Sequence, residues 1–222
     1  MAEADETIRE PGVTLRSFMR HLAHELGNPV ASIRMSGEML IGDYPAEMHQ
    51  ELFQIIMSEA LRLETLIESA VYFCSIAPPN PQDVELASVI QSALRQGETP
   101  IQLDLHTDLA CETINADPGE LTRTLREIFL NAAQADATTL TVAARPDGDD
   151  VVITVTDNGN GVPPEKIPKL LEPFYTMREG HLGLGLSIAK RIVDLHHGMI
   201  EIGPAVAAPG MMVTVRFPQS SR

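Results

Sequence analysis

Three side chains that could carry out chemistry lie close together near the N-terminus: His24, Glu25 and Asn28. If this segment is helical, His24 lies about 200° around the axis from Leu22 and Leu26, and it therefore points away from the apolar side. Asn28, one turn further on, shares that outward side. Glu25 can accept a hydrogen bond from the imidazole, which would fix the tautomer and raise the basicity of the ring. An exposed, oriented imidazole can act as a nucleophile, although an ordinary surface histidine on a bundle helix has the same pattern.

A second polar pair, Glu127 and Asn131, is spaced four residues apart in a segment otherwise rich in Leu, Ile and Phe. In a helix these two side chains share one face. A carboxylate and an amide oxygen together could hold a hard divalent cation and its water shell. A solvent-facing polar pair on an amphipathic helix has the same spacing, so both interpretations remain open.

Two glycine-rich segments follow, and each could surround a ligand. In the first, Asp157-Asn-Gly159-Asn-Gly161, the glycines allow close approach of the backbone, and the carboxylate can accept a hydrogen bond from an exocyclic amine. The second, Gly183-Leu-Gly185, leads into a predicted helix, whose N-terminus favours a phosphate group. It is neither a dinucleotide fingerprint nor a P-loop, because the glycine spacing differs and no Gly-Lys-Ser/Thr follows. A plain Asn/Gly turn is the alternative for the first segment.

Two long amphipathic helices are predicted to position the first cluster. Apolar residues recur at helical spacings from Val13 to Leu40 and again from Leu52 to Phe73. The segment Gly42–Pro45 interrupts the pattern, so the helices are expected to fold back as an antiparallel hairpin. Because such a hairpin has little core of its own, pairing with a second copy into a four-helix bundle would cover its apolar stripes.

After the hairpin, the pattern changes to a mixture of strands and helices. We predict a polar tail at 1–12, the hairpin domain at 13–76, a proline-rich linker at 77–84 and a mixed α/β domain at 85–219. Predicted helices of the last domain are Leu86–Leu94, Pro118–Ala135 and Ser187–His197, and its predicted strands are Ile101–Leu105, Thr139–Ala144, Val151–Thr156 and Met212–Phe217.

The composition restricts the classes of function. The chain has 222 residues and a net charge of −15, so we expect neither nucleic acid nor an anionic membrane surface as its main partner. Apolar residues make up 44% of the chain, enough for a core, but no apolar run is long enough to span a membrane. The two cysteines lack the spacing of a disulfide framework or a zinc site, and the acidic N-terminus is unlike a signal peptide. The expected compartment is therefore the cytoplasm.

The order and spacing of these motifs resemble the sensor histidine kinase family of two-component signalling. The resemblance covers about residues 13–218, and five motifs in family order are far more specific than any one of them. These motifs are an H box at His24-Glu-Leu-Gly-Asn-Pro29, an N box at Asn131-Ala-Ala-Gln-Ala135, a G1 box at Asp157-Asn-Gly-Asn-Gly161, an F box at Glu172-Pro-Phe-Tyr-Thr176 and a G2 box at Gly183-Leu-Gly-Leu-Ser187.

The resemblance implies that the hairpin is a dimerisation and histidine-phosphotransfer domain. His24 would accept the γ-phosphoryl group of ATP and pass it to an aspartate of a response-regulator receiver domain, and Glu25 would help to activate it. Asn28 stands where the family has an amide that orients water for dephosphorylation of the receiver. A homodimer is implied. Because few residues precede the hairpin, we expect either that the chain is the excised core of a longer sensor or that a separate sensory protein supplies the input.

The remainder would be an ATP-binding domain of the GHKL (Bergerat) type, an α/β sandwich that uses ATP and Mg²⁺. The resemblance implies that Asn131 coordinates Mg²⁺ and that Asp157 recognises the adenine amine. Phe174 and Arg178 would belong to an ATP lid at 166–182. The residues implied to line the nucleotide are Gly159, Gly161, Gly183, Leu184 and Gly185.

Several positions depart from the family pattern and keep two further functions open. His181-Leu182 stands where Gly-Thr is usual before the G2 box, and His181 or Arg178 could replace the hydroxyl donor of that threonine. Met211 stands where a threonine beside the adenine is common. Glu127 stands where many kinases have asparagine, and an acid there resembles gyrase-like ATPases, in which it activates water. The alternatives to an active kinase are therefore a dimeric phosphotransfer or receiver-phosphatase adaptor with a weak nucleotide site, and a GHKL-type ATPase that uses Glu127.

Overall fold

The computed structural model describes residues 15–42, 44–95, 103–178, 182–206 and 209–219. They form two compact units. The first contains the described residues up to Ile76 together with the short segment Pro173–Leu184, and the second contains Ala77–Glu172 and the residues from Gly185 onward. A helical N-terminal part followed by a mixed α/β sheet domain confirms the predicted fold class.

The first unit is built on two long helices, α1 (Leu15–Met39) and α2 (Ala46–Ser75). Phe18 near the start of α1 stacks on Phe73 near the end of α2, with ring centroids 5.9 Å apart, so the helices run antiparallel as predicted. Leu66 is buried with them, at 4% exposure. Among the described residues, no helix is both long enough and apolar enough to cross a membrane.

Among its described residues, the second unit contains a five-stranded sheet, a short two-stranded ribbon, three α-helices and one 3-10 helix. In chain order its elements are β1 (Gln82–Glu85), α3 (Leu86–Arg95), β2 (Asp104–Leu109), β3 (Thr113–Ala116), α4 (Pro118–Gln134), β4 (Thr139–Asp147), β5 (Asp150–Asp157), a 3-10 helix (Ile167–Lys169), α5 (Gly185–Leu195), β6 (Met199–Pro204) and β7 (Met211–Pro218). The five-stranded sheet has the order β2-β4-β5-β7-β6. Strands β2 and β4 are parallel, all other neighbours are antiparallel, and β1 pairs with β3 alone.

The core of the second unit lies between the sheet and the helices. Successive strand residues point to opposite faces, and the inward-facing Leu140, Val142 and Ile153 are completely buried. Leu125 and Phe129 of α4 are buried in the same core. This packing fixes α4, and therefore the polar residues that it carries, on the sheet.

The start of α4 follows from local chemistry, as the sequence predicts. Asp117 Oδ1 accepts hydrogen bonds from the backbone N–H groups of Gly119 and Glu120 at 3.0 and 3.1 Å. Pro118 occupies the first helical position, where its missing N–H costs nothing. The Asp117 backbone N–H in turn donates to Nε2 of His196, at 3.1 Å, which ties the cap to the residue after α5.

The structure differs from the predicted elements in several places. The strand predicted at Ile101–Leu105 is β2, which begins only at Asp104, and Ile101 and Gln102 lie outside the described residues. Helix α5 begins and ends two residues earlier than predicted, and His197 has a φ of +57°, which is incompatible with a continuing helix. The sequence pattern does not predict β1, β3 or β6; β1 and β3 have only four residues each, and β1 uses residues assigned to the linker.

Candidate functional site

His24 lies on the exposed side of α1, as the sequence predicts. Its side chain is 73% exposed, and its Nδ1 lies 3.3 Å from Oε1 of Glu25. A neutral imidazole protonated at Nδ1 donates to that carboxylate and keeps the Nε2 lone pair for another reaction. Asn28 is exposed one turn further along the same helix. The three predicted residues are therefore grouped on one stretch of α1.

The structure adds two residues of α2 to this group. Arg62 Nη2 lies 3.8 Å from Oε2 of Glu25, and Arg62 Nη1 lies 3.4 Å from Oε2 of Glu59. Glu25 is thus held between the imidazole of its own helix and a guanidinium of the neighbouring helix. A helical period shows which residues share a face but not which residues meet across a hairpin, so the sequence carries no signal for Arg62.

The described residues of the segment Pro173–Leu184 belong to the first unit. The ring of Phe174 lies edge-on to Phe18, with centroids 5.0 Å apart, and stacks on the imidazole of His21 at 5.1 Å. The backbone of Phe174 has a φ of +66°, and its N–H donates to the carbonyl oxygen of Gly183 at 3.0 Å. Phe174, which the resemblance assigns to an ATP lid, therefore contacts the aromatic rings of Phe18 and His21 of α1.

Packing within this segment also requires a glycine at position 183. Gly183 has a φ of +65°, and a Cβ built on it would lie 2.5 Å from the carbonyl oxygen of Tyr175, so a larger residue does not fit. Leu184 beside it is only 2% exposed. Arg178 is half-buried, and His181 lies outside the described residues.

In the second unit, Asp157 is buried at the end of β5, with 8% exposure. Its Oδ1 accepts backbone N–H groups of Gly159 at 2.8 Å and of Met211 at 3.3 Å. Among the described residues, no donor is hydrogen-bonded to Oδ2, so this oxygen can accept from the amine of a ligand. Met211, where the family often has threonine, contributes its backbone here, and its side chain is buried at 3% exposure.

The loop after Asp157 is tied to the C-terminal end of α4. The backbone N–H of Asn160 donates to the carbonyl oxygen of Ala135 at 2.8 Å. A Cβ at Gly159 would lie 2.6 Å from that same oxygen, so contact with α4 requires a glycine there. Gly161 follows in the same loop with a φ of +66°. These contacts fix the end of β5 relative to the end of α4.

Glu127 and Asn131 lie one turn apart on α4, as predicted. Oε1 of Glu127 lies 2.7 Å from Nε of Arg123, and a Cβ built on Gly185 would lie 2.7 Å from the other oxygen, Oε2. Burial raises the pKa of Glu127, whereas the positive charges of Arg123 and Arg126 oppose that shift. The structure therefore brings a paired carboxylate to Gly185, the first residue of α5.

Asn131 is the residue predicted to bind a metal ion. Among the described residues, no group of three or more His, Cys, Asp and Glu side chains could hold a metal ion. Mg²⁺ commonly binds through one or two protein ligands together with substrate phosphates and water. A single half-buried amide such as Asn131 fits that kind of site, in which the nucleotide supplies most of the ligands.

Both parts of the chain match known protein families. Residues 14–79 match the His Kinase A (phospho-acceptor) domain, and residues 116–221 match the histidine kinase-, DNA gyrase B-, and HSP90-like ATPase domain. The sensor histidine kinase ZraS of Salmonella typhi is 31% identical over 96% of this chain. The chain covers 48% of that relative and so spans about half of its length.

Solved histidine kinase structures share the fold. The histidine kinase ThkA in complex with the response regulator protein TrrA has a TM-score of 0.69 and 21% identity, covering 91% of this chain and 61% of that one. Full-length ShkA in complex with AMPPNP has a TM-score of 0.63 and 19% identity, covering 95% of this chain and 47% of that one. Identities this low show the fold alone.

Proposed function

The chain belongs to the sensor histidine kinases of two-component systems, and from that premise we propose that it uses Mg-ATP to phosphorylate itself on His24. The observation that carries the proposal is the exposed imidazole of His24, whose Nδ1 faces the carboxylate of Glu25 at 3.3 Å. That contact leaves Nε2 as the nucleophilic nitrogen. The phospho-acceptor and ATPase family domains supply the two parts that such a reaction needs.

In the proposed step, Nε2 of His24 attacks the γ-phosphorus of ATP. The N–P bond forms while the bond from the γ-phosphorus to its bridging oxygen breaks, and ADP leaves with that electron pair. The imidazole becomes positively charged, and the Glu25 carboxylate stabilises the proton that remains on Nδ1. Mg²⁺, when bound, neutralises charge on the phosphates.

The second unit supplies the proposed nucleotide site. Oδ2 of Asp157 is the proposed acceptor for the adenine amine, because Oδ1 is already engaged by two backbone N–H groups. Asn131 is the proposed protein ligand of Mg²⁺. Gly185 begins α5, and the positive end of that helix suits the phosphates. Phe174 and Arg178 are proposed to belong to a segment that closes over the nucleotide.

The hairpin is proposed to pair with a second copy as a four-helix bundle. Large apolar side chains of both helices are exposed in the single chain; Met35 is 62% and Val71 61% exposed. Covering such surface contributes about 25 cal/mol per Å², and large exposed apolar patches mark sites of protein–protein interaction. The exposed set consists of Met19, Val30, Met35, Met39, Met48, Phe53, Ile55, Met57, Leu61, Ile67 and Val71.

The phosphoryl group is proposed to pass to an aspartate of a response-regulator receiver domain. A carboxylate oxygen of the receiver attacks the phosphorus, the N–P bond breaks, and its electrons return to the imidazole of His24. The complex of ThkA with a response regulator, in which the kinase has the same fold, supports this class of partner. Exposed Asn28 is proposed to orient the water that later dephosphorylates the receiver. These reactions are proposed to take place in the cytoplasm, where ATP is available.

Incubation with γ-labelled ATP and Mg²⁺ tests the proposal. We expect acid-labile, base-stable label on the wild-type protein, none on His24→Ala, and full labelling of His49→Ala, a control histidine of the same unit. Label that survives in His24→Ala would contradict the assignment. Release of phosphate without bound label, lost in Glu127→Gln, would indicate the ATPase alternative, and no nucleotide binding at millimolar ATP would indicate the adaptor.

A further inference from the structure

An ion-paired chain crosses the hairpin from the proposed nucleophile to α2. The imidazole of His24 contacts Oε1 of Glu25 at 3.3 Å, and the guanidinium of Arg62 lies 3.8 Å from Oε2 of the same carboxylate. Arg62 uses its other terminal nitrogen on Glu59, at 3.4 Å. Each oxygen of Glu25 therefore faces a different partner, and the orientation of one contact restricts the other.

We expect these contacts to orient the Glu25 side chain rather than to stabilise the fold. The side chains of Glu25, Glu59 and Arg62 are 25%, 23% and 29% exposed, so solvent screens their charges in part. Partly exposed ion pairs of this kind add little to the stability of a fold. A glutamate side chain has three rotatable bonds, however, and a second contact from the neighbouring helix restricts the rotamers that it samples. Arg62 can therefore decide where the Glu25 carboxylate points even though it adds little to stability.

The charges of the group give Arg62 a second effect on Glu25. Glu25 of α1 and Glu59 of α2 both face the same guanidinium. Without that cation, two carboxylates would face each other across the hairpin, and like charges in proximity repel. The flexible Glu25 side chain would then turn toward solvent and away from His24. Loss of Arg62 should consequently reduce the fraction of molecules in which the imidazole has its acceptor.

We propose that Arg62 is a positioning residue for phosphoryl transfer to His24. It holds the Glu25 carboxylate in the orientation that keeps the proton on Nδ1 of His24 and the lone pair on Nε2. The inference rests on the proposed function, because it assigns Arg62 to the same reaction. Arg62 does not touch the reacting atoms, and its whole effect passes through Glu25.

Initial rates of autophosphorylation, measured over a range of ATP concentrations, test the role of Arg62. A positioned acid or base contributes about 10²–10⁴ in rate, and partial loss of its orientation in Arg62→Gln should lower the rate at saturating ATP, here called kcat, by about tenfold. KM for ATP should not change, because neither Arg62 nor Glu25 is among the residues proposed to contact the nucleotide. Arg62→Lys should restore part of the rate. Arg16→Gln, which removes an exposed arginine of the same hairpin, should behave like the wild type.

A double-mutant cycle separates positioning from a general structural effect. If Arg62 acts through Glu25, Arg62→Gln should lower the rate by less than about twofold when Glu25 is already replaced by Gln. The same tenfold loss in both backgrounds would overturn the proposal. So would a rise in KM with kcat unchanged.

The tautomer of His24 gives a readout that needs no ATP. In ¹⁵N-labelled protein, we expect the Nδ1-protonated form to predominate at His24 in the wild type and in Arg16→Gln, and both tautomers to be populated in Arg62→Gln. An unchanged tautomer ratio in Arg62→Gln would overturn the proposal. If the wild-type protein incorporates no label from ATP, the proposed kinase function is wrong. The tautomer measurement would still decide whether Arg62 positions Glu25.

Discussion

Replacement of Asp157 separates the structural and ligand-binding roles of one buried carboxylate. Oδ1 accepts two backbone N–H groups, from Gly159 at 2.8 Å and from Met211 at 3.3 Å. Oδ2 is the atom proposed to meet the adenine amine. Asp157→Asn keeps an oxygen for the two backbone donors but replaces Oδ2 with an NH₂ group, which donates instead of accepting. Asp157→Ala removes both oxygens.

The two variants should differ in their free energy of unfolding, because only Asp157→Asn keeps an acceptor for the two backbone N–H groups. Each buried N–H left without an acceptor costs about 1–3 kcal/mol. The bond from Gly159 is short and the one from Met211 is long, so the free energy of unfolding of Asp157→Ala should fall by about 2–4 kcal/mol. Asp157→Asn, which keeps both backbone bonds, should lose less than about 1 kcal/mol.

Nucleotide affinity should fall in Asp157→Asn even though its stability is nearly unchanged. A hydrogen bond to a charged group contributes about 1.5–3 kcal/mol, which corresponds to roughly 10–150-fold in the dissociation constant. Asp157→Asn should therefore bind ATP at least about tenfold more weakly than the wild type although it remains folded. Urea denaturation followed by circular dichroism and titration calorimetry with ATP measure the two quantities. Wild-type affinity in Asp157→Asn, or a loss of stability equal to that of Asp157→Ala, would refute the reasoning.

Four further substitutions have defined outcomes. Although burial acts to raise it, the pKa of Asp117 is lowered by three backbone N–H donors, so Asp117→Ala should lose about 1–2 kcal/mol of unfolding free energy at neutral pH. Urea denaturation should show that this difference shrinks as the pH falls below about 4. Burial raises the pKa of Glu127, so the wild type should lose stability relative to Glu127→Gln as the pH rises above the ordinary glutamate pKa of about 4.3, and a pH-independent difference would contradict this. Gly183→Ala should speed protease cleavage within Pro173–Leu184, because its Cβ would lie 2.5 Å from a carbonyl oxygen; Gly203→Ala, with no atom within 4 Å, is the control. Asn28→Ala should autophosphorylate normally but dephosphorylate the receiver more slowly, and equal loss of both activities would show that Asn28 is structural.

Local chemistry accounts for the parts of the fold that the sequence predicts well. The hairpin follows from apolar residues at helical spacing, and α4 follows from an Asp-Pro start that needs only neighbouring backbone atoms. The outward direction of His24 likewise follows from about 100° of rotation per residue. Such features depend on residues within one or two turns, so a single sequence contains them.

Features that depend on contacts between elements do not appear in the sequence pattern. Arg62 meets Glu25 only because α1 and α2 are packed in one particular register. At position 159, contact with the carbonyl oxygen of Ala135 requires a glycine whether or not a ligand binds nearby. The glycine alone therefore does not indicate a ligand. A glycine-rich motif predicts close approach of the backbone but not what approaches it. Four-residue strands such as β1 and β3 are too short to show a period.

The carboxylates of Glu25 and Glu127, the two glutamates considered for catalysis, differ in the partners of their oxygens. Glu127 has one oxygen, Oε1, on Arg123, and its other oxygen lies beside Gly185, the first residue of α5. Glu25 gives one oxygen to Arg62 and directs the other to His24. A general base must reach the proton that it binds, and only Glu25 contacts a group that can react with a phosphate. This difference agrees with the proposed transfer to the imidazole, because the glutamate that an ATPase would need has one of its oxygens paired with Arg123.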